Sequence, residues 1–188
     1  NTYEKWVTYD DALSRPIDKD TAMRLLVASG TMPMSACLKV ISRKSLSDMG
    51  LRFIKGIIAE DIPWFIDLLD GSNKCMFVNH YIYAYRQNRA GSITASGGEK
   101  SFNDLFNIIK RELDKMEKRT FSPAAKEALY SFLAYEFCIL LSSASQRSIE
   151  QRQELLSYKW LLNYTANPKV RKAAFVNKLF GIRATEWV

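Results

Sequence analysis

The stretch GLRFIKGIIAEDIPWF, Gly50 to Phe65, sets two adjacent carboxylates, Glu60 and Asp61, between an apolar run and Pro63-Trp64-Phe65. Proline is favoured in the first turn of a helix, where its missing N–H would have no partner anyway. IPWFIDLLDG therefore predicts a helix that opens near Ile62 or Pro63 and closes at Gly71. Asp61 then lies at the helix N-terminus, where unpaired N–H groups and the helix dipole favour negative charge. Two roles fit it. Asp is among the best N-capping residues, and capping alone would account for it. A carboxylate held ionised at a fixed helix end also has what a general base needs.

Upstream, IDKDTAMRLLVASG offers acidic capping residues, apolar Met23, Leu25, Leu26 and Ala28, and a terminating Gly30, which predicts a helix. Leu38, Val40 and Ile41 suggest a short strand, and SLSDMG a one-turn helix capped by Ser45 and closed by Gly50. Downstream, KCMFVNHYIYAYRQ alternates and is rich in aromatic and β-branched residues, which favours a strand. After the Gly/Ser-rich GSITASGGEKS the pattern turns helical, over about 102–118, 123–144, 146–165 and 168–180. Ser122-Pro123 and Asn167-Pro168 are cap-then-proline starts, and Gly181 is a stop. The fold class expected is α+β and mostly helical. A mixed part with few strands occupies residues 1–97, and a bundle of about four helices occupies 98–188.

The chain has 188 residues, enough to bury a sizeable core, and its net charge of +7 suits anionic partners. Nucleic acid is not among those expected, because the basic residues are interleaved with Glu112, Asp114 and Glu117 and no recognised motif occurs. Cys37, Cys75 and Cys138 are far apart, with no CxxC or Cys/His cluster, so reduced, buried thiols are expected rather than zinc or disulfides. His80 is the single histidine and reads as structural, and Asp10-Asp11 reads as a loop. The opening NTYEKW shows no signal-peptide pattern and no initiator Met, from which we expect an excised piece of a longer chain. Ala128 to Leu141, too short to span a bilayer and carrying Glu136, reads as a buried core helix.

Two further segments carry chemistry. In YIYAYRQNRAGSI, Tyr81 to Ile93, a strand runs into Arg86, Gln87 and Arg89, then a turn at Gly91 with hydroxyls at Ser92 and Thr94. Guanidiniums, open backbone and hydroxyl donors could cradle a diphosphate, or simply form a polar turn. In NPKVRKAAFVNKLFGIR, Arg171 and Lys178 share a helix face. A basic helix of this kind, within 167–188, could lie on an anionic membrane surface, or its apolar residues could pack on a neighbouring helix.

Taken in order, LKVISRKSLSDMGLRFIKGIIAEDIPWF and VNHYIYAYRQNRAGSITAS resemble the carboxyl-terminal half of the catalytic domain in bacterial family 2 glycosyltransferases. The first block matches at Lys39, Arg43, Leu46, Gly50, Leu51, Arg52, Phe53, Gly56, Ile57, Glu60 and Asp61. The second matches at Tyr83, Tyr85, Arg86, Gly91, Ser92 and Ile93. The resemblance covers roughly residues 18–96, and the closing KLFGIR is a weaker likeness to the family's tail.

The resemblance implies a partial GT-A-type α/β region in which a nucleotide-sugar donor meets the hydroxyl of a glycan or lipid-linked acceptor. It implies Asp61 as the base of an inverting transfer, with Glu60 positioning it or the acceptor. Trp64 would stack on a sugar ring, and Tyr85, Arg86, Arg89 and Ser92 would bind substrate, the two arginines near the leaving diphosphate. The family's nucleotide-binding segments and Asp-rich metal motif are not in these residues. A divalent cation, Mg²⁺ or Mn²⁺, is therefore expected for the full-length enzyme with its ligands outside this chain, and the chain alone is expected to be inactive. The implied setting is cell-surface polysaccharide or lipopolysaccharide assembly, in the cytoplasm and peripheral at the inner face of the cytoplasmic membrane. A non-enzymatic helical module docking on a protein or anionic membrane is the alternative. A sheet edge open near residue 1 could be covered by a second copy, giving a homodimer.

Overall fold

A computed structural model describes residues 8–81, 83–84 and 98–186. Among the described residues there are eight α-helices: α1 (Lys19–Ser29), α2 (Arg43–Asp48), α3 (Asp61–Gly71), α4 (Gly98–Asp114), α5 (Pro123–Leu141), α6 (Ile149–Ser157), α7 (Pro168–Phe180) and α8 (Ile182–Thr185). Short 3-10 turns join several of them, and the architecture is mostly helical, as the sequence pattern requires.

The helices end where their chemistry says they should. The Ser122 hydroxyl accepts from the Ala125 N–H at 3.3 Å with Pro123 opening α5, and the Asn167 side chain accepts from the Lys169 N–H at 2.9 Å with Pro168 opening α7. Gly30, at φ 72°, closes α1 in the left-handed conformation, its N–H turned back to the Leu26 and Val27 carbonyls. One cap moves: Ser42 rather than Ser45 caps α2, its hydroxyl accepting from the Ser45 N–H at 3.4 Å.

α5 is the axis of the bundle. Ala128, Ser131, Phe132, Ala134, Phe137 and Leu140 point to different sides of it and all are buried, so α5 must be enclosed on several faces. α1, α4 and α7 pack against it. α4 presents a single stripe, Phe102, Leu105, Phe106, Ile108 and Ile109, at the spacing of one helix face. The main core includes Met23, Val27, Ile62, Ile66 and Leu69 together with the bundle residues, so it draws on both sides of position 97. A second cluster, Leu13, Leu26, Trp64, Phe65 and Leu68, lies under the N-terminal loops.

A charged joint reinforces that continuity. The buried guanidinium of Arg119 contacts Glu112 of α4 and, at 2.5 Å, Asp67 of α3, while Lys19 of α1 reaches Asp70 at 3.2 Å. Asp70 also accepts from the Thr120 N–H at 3.1 Å.

The strand expectations need correction. Residues 38–41 form no strand: Ala36–Leu38 is one 3-10 turn, and the Lys39 ammonium gathers the carbonyls of Pro33, Met34 and Ser35 into a compact loop. The alternating stretch from Lys74 lies extended beside residues 8–17, with one isolated bridge between Ile17 and Cys75 and a bond from the Phe77 N–H to the Leu13 carbonyl at 2.8 Å. Its alternation survives in the burial, with Cys75 and Phe77 packed inward and Met76 and Val78 exposed. What it lacks, among the described residues, is a continuous ladder, and a strand cannot satisfy its backbone without one. The thiols also differ from expectation: all three cysteines are free, but Cys37 is exposed and Cys75 and Cys138 are half-buried.

Candidate functional site

The site is delivered by the loop running from Leu51 into α3. Gly56 adopts φ 82° and Ala59 φ 64°, and Ala59 is the one described non-glycine residue with a positive φ. Left-handed backbone costs a residue with a Cβ on the order of 1 kcal/mol or more and persists only where its surroundings impose it. Here α4 imposes it. The Lys100 ammonium donates to the Gly56 carbonyl at 2.7 Å and to Asp104 at 2.6 Å, and the same Asp104 oxygen accepts from the Ile58 N–H at 2.8 Å. These bonds hold the Asp104 carboxyl below the usual carboxylate range, the Lys100 contact first. The clamp fixes the loop two residues before Glu60.

Asp61 is the first residue of α3, half-buried, over the buried run Ile62 to Ile66. The expected cap is not formed: the N-cap position falls on Glu60, whose side chain makes no capping hydrogen bond. Nor does the helix end hold the Asp61 carboxyl low. Burial pushes it above the ordinary value, and the neighbouring Glu60 charge adds to that. The Ala36 amide and the Lys39 ammonium oppose the rise without cancelling it. The direction is therefore opposite to the one expected from the dipole alone, with desolvation the leading cause. Asp61 gains basicity while remaining attached to a rigid helix.

Lys39 completes this corner. Its ammonium sits 4.2 Å from the centroid of the Phe65 ring, and burial lowers its pKa to about 8, with Asp61 pulling the other way.

Trp64 is placed differently from its expected role. Its indole is buried in the second cluster, and one face is covered by Phe53, with ring centroids 4.9 Å apart and planes at 19°. Phe53, 45% exposed, is the ring left open to solvent. Tyr85, Arg86, Arg89 and Ser92 lie outside the described residues, so the structure neither gathers them around Asp61 nor separates them from it.

Residues the sequence did not flag include Lys100, Asp104, Lys39 as a half-buried cation, and Phe53 as an exposed ring. The Lys100/Asp104 pair was findable, since i, i+4 charges of opposite sign share a helix face, but the helix begins at Gly98, four residues before the expected start. Two clefts stand apart from this corner. One, of about 580 Å³, is polar and lined by Arg52, Asp67, Asp70, Arg111, Arg119 and Thr120 at the far end of α3. The other, of about 310 Å³, lies between α1 and α5 and includes Arg24 and Glu127. Neither is lined by Asp61 or Glu60. Among the described residues no group of three or more His, Cys, Asp or Glu gathers to hold a metal ion.

Comparison with protein-family models, with curated proteins and with solved structures found no match to this chain.

Proposed function

We propose that this chain is the acceptor side of a glycosyltransferase that moves a sugar from a nucleotide donor to a glycan or lipid-linked acceptor. One observation carries the proposal: Asp61, made more basic by burial, stands at the start of a rigid helix behind a clamped, strained loop. In an inverting transfer the acceptor O–H proton passes to the Asp61 carboxylate as the acceptor oxygen bonds to the anomeric carbon. The bond from that carbon to the diphosphate oxygen breaks, and nucleoside diphosphate leaves with the electron pair. Glu60 keeps Asp61 basic by its charge, and Phe53 offers the sugar a ring in place of Trp64. Arg86 and Arg89 supply positive charge to the leaving group.

Among the described residues no group of three or more His, Cys, Asp or Glu gathers to hold a cation. The donor-binding motifs of the resembled family must come from outside these 188 residues, and the chain alone is expected to show no transferase activity. The enzyme would act in the cytoplasm, on surface-polysaccharide or lipopolysaccharide intermediates. Met76 and Val78, exposed at 52% and 48% on an extended segment, support a surface that receives further β structure.

The test is nucleoside diphosphate release by this chain together with its donor-binding portion, screened over nucleotide sugars and glycan acceptors. Asp61→Asn should lower kcat on the order of 1,000-fold or more, with the fold intact by circular dichroism. An Asp61→Asn variant at full turnover would remove Asp61 from the role of base.

A further inference from the structure

The C-terminal helix carries a second surface. From Asn167 to Thr185 the chain has five basic residues and no Asp or Glu. α7 is held to the body by Val170 and Ala173, its fully buried residues. On the opposite side Phe175 and Leu179 are 62% and 55% exposed, while Phe180, the last residue of α7, is 71% exposed at the helix end on the side of Ala173. Packing on a neighbouring helix therefore does not explain these side chains.

At 100° per residue, Phe175 and Leu179 stand one above the other in the middle of the outward face. Arg171 and Lys178 border that pair on one side and Lys172 on the other. None of these three cations has an ion-pair partner among the described residues; Arg171 makes only a long hydrogen bond to the Thr165 carbonyl. Scattered exposed apolar residues need no explanation, but two stacked large side chains framed by cations form a patch.

We infer that this face of α7 docks on an anionic lipid surface. Charge complementarity selects the occupant. Phe175 and Leu179 would enter the boundary between headgroups and acyl chains, while the long arms of Arg171, Lys172 and Lys178 lie outward to reach lipid phosphates. Arg183, exposed one turn further on in α8, adds a cation on the same terminal segment. No described helix is long and apolar enough to cross a membrane, so the helix would lie in the interface rather than span it. This inference rests on α7 alone and stands whether or not Asp61 is a base.

The experiment is co-sedimentation of the 188-residue chain with phosphatidylcholine vesicles, with and without phosphatidylglycerol, at low and high salt. Binding should require phosphatidylglycerol and weaken as salt rises. Replacing Arg171, Lys172 and Lys178 by Gln should weaken it on the order of 100-fold. Phe175→Ser with Leu179→Ser should weaken it about tenfold and leave a residual, fully salt-sensitive component. These positions face solvent, so helicity and thermal midpoint should not change, and Val170→Ser serves as the control that disturbs the packed side instead. Equal binding to phosphatidylcholine alone, or binding indifferent to both sets of substitutions, would overturn the inference. Absence of vesicle binding with self-association abolished by Phe175→Ser would overturn it too, and assign the face to a second copy.

Discussion

The helical bundle and the extended N-terminal segments solve the same problem with opposite success. In α5, Phe132, Leu133 and Phe137 are at most 1% exposed. In the N-terminal segments patterned for strands, Val40 is 97% exposed, and Met76, Val78, Tyr81 and Tyr83 are about half exposed. The residue types are similar, and the backbone makes the difference. A helix closes its own hydrogen bonds and needs one apolar face covered, so each bundle helix is finished by its neighbours in this chain. A strand closes its bonds only with another strand, and the segments patterned for strands find a single bridge among the described residues.

That contrast can be broken by substitution. Phe137→Ala, in the middle of α5, should cost about 4 kcal/mol in denaturant unfolding, the usual range for an aromatic removed from a close-packed core. A loss under about 1 kcal/mol would mean that the bundle is not packed as described. Arg119→Ala should cost about 3 kcal/mol, because it strands the fully buried Glu112 and leaves Asp67 of α3 with only its longer contact to Lys115. Arg119→Ala with Glu112→Leu should recover much of that loss, which separates an unpaired charge from simple loss of packing.

pH provides the third contrast. Burial pushes the Glu136 carboxyl from its ordinary 4.5 to about 8, with the Lys169 charge opposing. The folded state therefore keeps a proton that the unfolded state releases near pH 4.5. Between those values stability should fall as pH rises, by up to about 1.4 kcal/mol per unit, and level off above about 8. Glu136→Gln should flatten that slope, as read by urea unfolding at several pH values. The smallest effect belongs to the extended face. Met76→Thr and Val78→Thr should each change stability by less than about 0.5 kcal/mol. A cost of a kcal/mol or more would show these side chains to be covered.

The contrast also sorts what the sequence revealed. Several caps that rest on local chemistry could be read, Gly30 after α1, Ser122-Pro123 before α5 and Asn167-Pro168 before α7, but the Ser148–Gln151 capping box of α6 was missed and the cap expected at Asp61 does not form. Ser42 in place of Ser45 is a shift of three residues, wider than the one or two by which helix ends ordinarily differ. The strands were misjudged because alternation reports a side-chain pattern and says nothing about whether a partner is present. At the site, Asp61 was legible from its place before Pro63, but its raised pKa was not. That shift comes from burial, with the Glu60 charge adding to it, and burial depends on loops distant in sequence, as do the opposing Ala36 amide and Lys39 ammonium. The clamp by Lys100 and Asp104 was hidden for the same reason, being some forty residues from the loop it holds.

The proposal that Asp61 is a tuned base meets its sharpest test in the carboxyl group itself. The measurement is an NMR titration of the Asp61 side-chain carboxyl in the folded 188-residue chain, repeated in Glu60→Gln. The midpoint should lie above the ordinary Asp value of about 3.9 and fall when the Glu60 charge is removed. A midpoint at or below that value, unchanged by Glu60→Gln, would make Asp61 an ordinary helix-terminal carboxylate and contradict the account.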